Sequence, residues 1–385
     1  MLLYSVEVPA LKSLIPASIR HRLSRLVLDM GALPEMARSA LAGPAPRGHA
    51  RVFYGRSSLP SSREFAHGGM VKVQRMQSRW PNTAGAFNTL YMVSSAMPPG
   101  ARWWAALAKR RGGTFVWNQN GVSSPAWEGS NWRATNGVMR PLLREADHVF
   151  YQSEFCKLAA DRFLGPPSGT WEVLHNSVDT RVFVPRQEPL PEGPLMLLLG
   201  GNQSERYRFE TAVATLGVLV RRGVDTRLLI SGHLRWSRDP NRAMCEAKEM
   251  VERERVVDRV EFTGPYTQEE ALALLHRAHI LLHTKYNDPC PGIVIEAIAS
   301  GLPVVYSASG GVPELVGDEA GVGVPVESTF DRMIPPDPEA LASGVERVRA
   351  SLVRYSQAAR DRAVERFDIE PWLARHAEVF ERGRR

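Results

Sequence analysis

The residues best suited to chemistry cluster between His283 and Val316. Asp288 and Glu296 stand with seven residues between them, Gly292 lies in that interval, and Gly310-Gly311 follows. A carboxylate accepts hydrogen bonds from hydroxyls, and glycine lets a backbone come close to a phosphate. Two carboxylates flanking a phosphate-binding turn suit a ligand that carries hydroxyls on both sides of a diphosphate. A nucleotide sugar has that form.

Such residues need elements to hold them. Ile280-Leu281-Leu282 reads as a buried strand running into a loop rich in Pro, Gly and Asn, and the spacing of Ile293, Ile295, Ile298 and Leu302 predicts a helix after Pro291. Pro303-Val304-Val305-Tyr306 reads as a second buried strand, closed by Ser309-Gly310-Gly311 before a helix opened by Pro313-Glu314. Asp288 is then placed in the first loop and Glu296 just over one turn into the first helix. Two strand ends deliver two loops to one place, and in an open parallel sheet ligands bind beyond the carboxyl ends of the strands, where helix N-termini favour anions. A single acid near a helix start is most often a macrodipole partner. Order and spacing over more than twenty residues make the stronger argument.

These residues resemble the GT-B glycosyltransferases of family 4, the group 1 retaining transferases. The signature is an acid, seven residues, a Glu at a helix start, a small-residue-Gly-Leu-Pro-Val-Val run and a Gly-Gly-x-Pro-Glu turn; here it reads Asp288, Glu296, Ser300-Gly301-Leu302-Pro303-Val304-Val305 and Gly310-Gly311-Val312-Pro313-Glu314. The first acid is usually Glu, and Asp288 with the following Pro-Cys-Pro is a departure that bears on the donor sugar. The resemblance implies an α/β chain of two Rossmann-like domains facing a cleft, with a C-terminal helix returning to the N-terminal domain. It also implies transfer of a sugar from a nucleotide-diphosphate donor to a carbohydrate or lipid-linked acceptor, in polysaccharide or other surface-glycan biosynthesis, with no metal and no cofactor. In that scheme Glu296 holds the donor ribose and Asp288 the sugar hydroxyls, while Gly292, Ile293, Val294 and Gly310-Gly311 line the donor. Gly68-Gly69 lies near the diphosphate, and Tyr266, in Gly264-Pro265-Tyr266, contacts the base. Relatives carry a Gly-Arg and then a Lys after the first strand of the second domain. Here Gly201 stands at the place of the Arg, and Arg206 or Arg208 near that of the Lys, so either arginine is a candidate cationic clamp. Relatives also place a His on the acceptor side, where Asn120 or Gln119 stands. Neither amide is a general base at neutral pH, and a front-face retaining route requires none.

The 385 residues are too many for one core of ordinary size, so two domains are expected. Residues 1–48 read as a basic amphipathic extension and linker, 49–186 as the acceptor-side domain, 194–367 as the nucleotide-sugar domain and 368–385 as the returning helix. Within the extension, Ala10 to Met30 has helical period and a basic face, which fits peripheral contact with an anionic membrane. Trp127, Glu128, Trp132 and Arg133 read as an aromatic loop, a sugar platform or a cover over the core. Lys and Arg exceed Asp and Glu by 48 to 41, which favours anionic partners, and no basic run with interleaved aromatics points to nucleic acid. Three scattered cysteines, Cys156, Cys245 and Cys290, fit a reducing cytoplasm better than a disulfide framework or a metal site, and the longest apolar runs are too short to span a bilayer. Two rival readings remain: a nucleotide-sugar epimerase, and a non-catalytic nucleotide-sugar-binding protein. A dinucleotide dehydrogenase does not fit, because no strand is followed by the full G-x-G-x-x-G.

Overall fold

The computed structural model describes residues 29–43, 48–66, 68–188 and 192–382. The expected helix from Ala10 to Met30 lies almost wholly outside these, as do His67, most of the Gly43–Gly48 linker and the middle of the 187–194 linker.

Two sheets organise the chain, and among the described strands every pairing is parallel. The first contains β1 (Val52–Phe53), β2 (Thr89–Val93), β3 (Thr114–Gln119), β4 (His148–Tyr151) and β5 (Thr170–Val173) in sequential order. The second contains β6 (Leu195–Leu199), β7 (Thr226–Ser231), β8 (Val260–Gly264), β9 (Ile280–His283), β10 (Val304–Ala308) and β11 (Gly321–Pro325), ordered β11-β10-β9-β6-β7-β8. Parallel strands covered by helices on both faces read as unbroken apolar runs, which explains Ile280-Leu281-Leu282. Alternate side chains serve opposite faces: Leu281 joins the core on one side of the sheet, while Ile280 and Leu282 join the other. The order reverses between β6 and β9. This switch point parts the loops that leave the two strands and opens a crevice between them.

The chain returns to the first domain at its end. Helix Ile369–Arg382 buries Trp372, His376 and Phe380 against the first sheet. Tyr91 Oη lies 3.2 Å from His376 Nε2, and Arg375 Nε donates to Glu172 at 2.8 Å.

Two stretches differ from the sequence expectation. Trp127 to Arg133 is no open loop: it passes through helix Pro125–Glu128 and a turn of 3-10 helix into helix Trp132–Glu145. Gly129 and Gly137 obscured that helix in the sequence. Asn136 anchors it, accepting from Ser123 N at 2.9 Å and donating to Ser123 O at 2.8 Å, and Trp132 packs edge-on against Phe163. The segment Pro338 to Phe367, which reads as helical in the sequence, is also broken, at Ser351, into Pro338–Ala350 and Leu352–Arg366.

Candidate functional site

The loop after β9 forms one wall of a cleft between the sheets. Tyr286 is buried beneath it and donates to Glu327 O at 2.7 Å. Asn287 adopts a left-handed φ of 50°, its amide donating to Ser309 Oγ at 2.9 Å and its side chain to Thr329 O at 2.8 Å. Held this way, the loop presents Asp288, which is only 8% exposed and lines the cleft. Burial would raise its pKa, but Lys285 at 3.5 Å, His283 at 3.3 Å and the charge of Arg208 outweigh burial and hold the carboxyl well below the usual range. Lys285 in turn sits 4.6 Å from the ring centre of Trp127, a cation–π contact that joins this wall to the first domain.

Helix Gly292–Ala299 follows, with Gly292 and Ile293 at the cleft surface and Glu296 one turn further, 4% exposed. Gly201 and Gly232, at φ of 80° and 85°, form the turns after β6 and β7; a Cβ on Gly232 would meet Gly201 O at 2.3 Å, so only glycine permits that contact. Tyr266, after β8, completes this wall.

The opposite wall is made by strand ends of the first sheet. Ser95, Asn120, Gln152 and Asn176 lie beyond β2, β3, β4 and β5, and all four line the cleft. Helix Gly68–Gln77 opens on it with Gly68 and Gly69, and one turn in come Lys72 and Arg75. Arg75 Nη2 donates to Glu296 Oε1 at 2.7 Å and its Nη1 to Ser177 O, so the carboxylate expected to meet a ribose is bridged to the first domain. Lys72 Nζ donates to Asn118 Oδ1 at 2.6 Å, and burial pushes its pKa down to about 7. A cleft of about 390 Å³ lies between the walls, within the range of small-molecule sites.

The structure thus gathers Gly68, Gly69, Asn120, Gly201, Tyr266, Asp288, Gly292, Ile293 and Glu296 at one cleft. It does not bring the other expected residues there. Arg206, the first residue of its helix, points outward, its side chain 48% exposed and 3.9 Å from Glu246. Arg208 turns beneath the β6 loop, donating to Asn202 O at 2.6 Å and Gly200 O at 3.4 Å; its hydrogen bonds serve that turn. Val294 is buried in the core, with its amide bonded to Pro291 O. Gly310 and Gly311 lie behind the Asp288 loop: a Cβ on Gly310 would meet Asp288 O at 2.5 Å, and one on Gly311 would meet Pro289 O at 2.0 Å. They let the loops stack and do not touch the cleft. Glu314 of the same turn accepts from the amides of Glu154 at 2.8 Å and Phe155 at 3.0 Å, capping a helix of the other domain.

Sequence reasoning missed Lys72, Arg75, Lys285, Asn176, Gln152 and Gly232. The signal for two of them was present, since Lys72 and Arg75 share a face at i, i+3 one turn after Gly68-Gly69.

Two parallel α/β sheets facing a cleft, with a helix returning from the second domain to the first, are the GT-B architecture. The family model of the glycosyl transferases group 1 matches residues 193–350, within the second domain. The chain is 28% identical over 255 residues to the glycogen synthase of Mycobacterium tuberculosis (strain CDC 1551 / Oshkosh), covering 64% of this chain and 57% of that protein. It therefore spans little more than half the length of that relative. Among solved structures it resembles sucrose-phosphate synthase from Thermosynechococcus elongatus, with a TM-score of 0.62 at 18% identity over 80% of this chain and 75% of that one. It also resembles Anabaena Alr3699/HepE in complex with UDP-glucose, with a TM-score of 0.61 at 16% identity over 77% and 79%.

Proposed function

We propose that this protein is a retaining family 4 glycosyltransferase that moves a sugar from a nucleoside-diphosphate donor to a carbohydrate or lipid-linked acceptor, in the synthesis of a polysaccharide or other surface glycan. The carrying observation is the pair Asp288 and Glu296, both buried at the cleft on either side of the Gly292 helix start, at the switch point of the second sheet. The UDP-glucose bound by the HepE neighbour supports a donor of that class.

In this reading the second domain, 194–367, takes the donor. Glu296 accepts from the ribose, sharing its carboxylate with Arg75, and Asp288, kept ionised by Lys285 and His283, accepts from the sugar hydroxyls. The diphosphate lies between the start of the Gly68–Gln77 helix and the start of the Gly292–Ala299 helix, whose dipoles favour the charge that develops on the leaving group. The first domain, 49–186, takes the acceptor, with Asn120 and Gln152 offering amide groups that orient hydroxyls but remove no proton. The reaction is proposed to need neither metal nor cofactor. Among the described residues no helix is long and apolar enough to cross a membrane. We place the protein in the cytoplasm, on the inner face of a membrane, where the basic amphipathic pattern of Ala10 to Met30 meets anionic lipid.

The test is thermal denaturation with UDP-, GDP-, ADP-, dTDP- and CMP-sugars, with EDTA and without. A donor at 100 times its Kd adds about 2.7 kcal/mol of stability, a readable shift. One diphosphate sugar is expected to shift the transition equally in both conditions, and anomeric analysis of the product made from it is expected to show retention. No shift with any diphosphate sugar would defeat the donor reading, and a shift abolished by EDTA would defeat metal independence.

A further inference from the structure

The charges lining this cleft do not cancel. Glu296 is paired with Arg75 and Asp288 with Lys285 and His283. Lys72 remains. It is 4% exposed, it lines the cleft, and its one hydrogen bond among the described residues goes to the neutral amide of Asn118, which also accepts from Gln152 at 2.9 Å. No carboxylate lies within ion-pair distance of it among the described residues. An ammonium has three donors, and burying one without a counter-ion is unfavourable unless an anion arrives. Its position adds a second argument, because it stands one turn inside a helix whose glycine start opens on the same cleft.

We propose that Lys72 is the cation that meets the diphosphate of the donor, from the first domain, and that it takes up a proton as the diphosphate enters. This rests on the reading of the cleft as a nucleoside-diphosphate site. It also explains why the second domain can use Arg208 to brace a turn and leave Arg206 on the surface.

The groups around Lys72 leave it as the one that titrates. Arg75, on its own helix, is paired with Glu296. Cys156, from helix Glu154–Phe163, is pushed up to about 12 by burial, and Cys290, from the Asp288 loop, is also pushed up by burial, so both thiols are neutral near pH 7. His376, from the returning helix, is pushed down to about 3 by burial and is neutral too. Asn118 and Gln152 do not ionise. Burial holds free Lys72 near pH 7, and a bound diphosphate would raise it. Binding then couples to proton uptake above pH 7: affinity is flat with respect to this group below pH 7 and falls, by up to roughly tenfold per pH unit, as pH rises above it.

The experiment is isothermal titration of the full chain with UDP, GDP and ADP between pH 6.5 and 8.5, in buffers of different ionisation enthalpy. The wild-type protein is expected to bind one of them with net proton uptake near pH 8, and less tightly as pH rises. Lys72→Met is expected to bind about tenfold to a hundredfold more weakly, with no uptake. Lys72→Arg, charged at every pH used, is expected to restore binding without uptake. The melting temperature of ligand-free Lys72→Met should be unchanged or higher, since a buried unpaired charge is gone. Equal affinity and equal uptake in wild type and Lys72→Met would overturn the role of Lys72 and leave the nucleotide site standing. Failure of wild type to bind any of the three would overturn both.

Discussion

At the scale of single residues, the informative contact is Arg75 with Glu296. Glu296 is almost fully buried, and its side chain bonds to an arginine of the other domain. Removing one partner of a buried pair leaves an uncompensated charge, whereas removing both does not. We therefore expect Arg75→Met and Glu296→Gln each to lower stability, and the double variant to lower it by about 1–3 kcal/mol less than the sum. Chemical denaturation of the four proteins measures this, and additive losses would show that the pair is not coupled. A charge at a helix start looks dispensable in a sequence; here it also ties two domains together.

At the scale of elements, the glycines divide into two kinds. Gly311 lets the turn after β10 lie against the Asp288 loop and Ser153, which donates to Pro289 O at 2.7 Å. Gly292 has open space where a Cβ would stand. Gly311→Ala is expected to destabilise the protein by about 1–3 kcal/mol, because Pro289 O would lie only 2.0 Å from the new Cβ. It should also weaken nucleotide binding by displacing Asp288. Gly292→Ala should change stability by no more than about 0.5 kcal/mol while placing a methyl group at the cleft. Urea midpoints for the two variants decide this; similar losses in both would remove the distinction. Gly232 belongs with Gly311, since a Cβ there would meet Gly201 O at 2.3 Å, whereas Gly201 has open space at that place and needs glycine for its φ of 80°.

At the scale of the whole molecule, acid should loosen the closure of the chain. His376 joins the returning helix to Tyr91, and burial pushes it down to about 3; His279, which accepts from Met196 N at 2.9 Å, is pushed down to about 4 by burial and then by Arg186. Both are neutral in the folded protein near neutral pH. The unfolded chain binds protons at these side chains below about pH 6.5, so stability is full above that value and is lost as pH falls toward 4, by at most about 1.4 kcal/mol per pH unit for each group. Denaturant midpoints at pH 7.5 and 5.5 should show the loss. His376→Gln, which retains a hydrogen-bonding side chain but cannot titrate, should make it shallower, and the same loss in that variant would clear His376 of the role.

The sequence by itself determined the local strands, loops and helices and the order of the motifs, because apolar periodicity and turn residues act over short distances, while the GT-B architecture was implied by the resemblance those motifs carry. The strand, loop and helix around Asp288 and Glu296 were legible in the run from Ile280 to Leu302, and the return of the last helix, residues 368–385, was implied by the resemblance. The tertiary structure alone decided which charges face the cleft. Arg206 and Arg208 follow the β6 turn as a clamp would, but Glu246 flanks the first on the surface and the carbonyls of Gly200 and Asn202 hold the second. Lys72 and Arg75 lie more than two hundred residues from Asp288 and Glu296 in the chain. Local pattern places a side chain on one face of a helix. Only the packing of one domain against the other settles what that face meets.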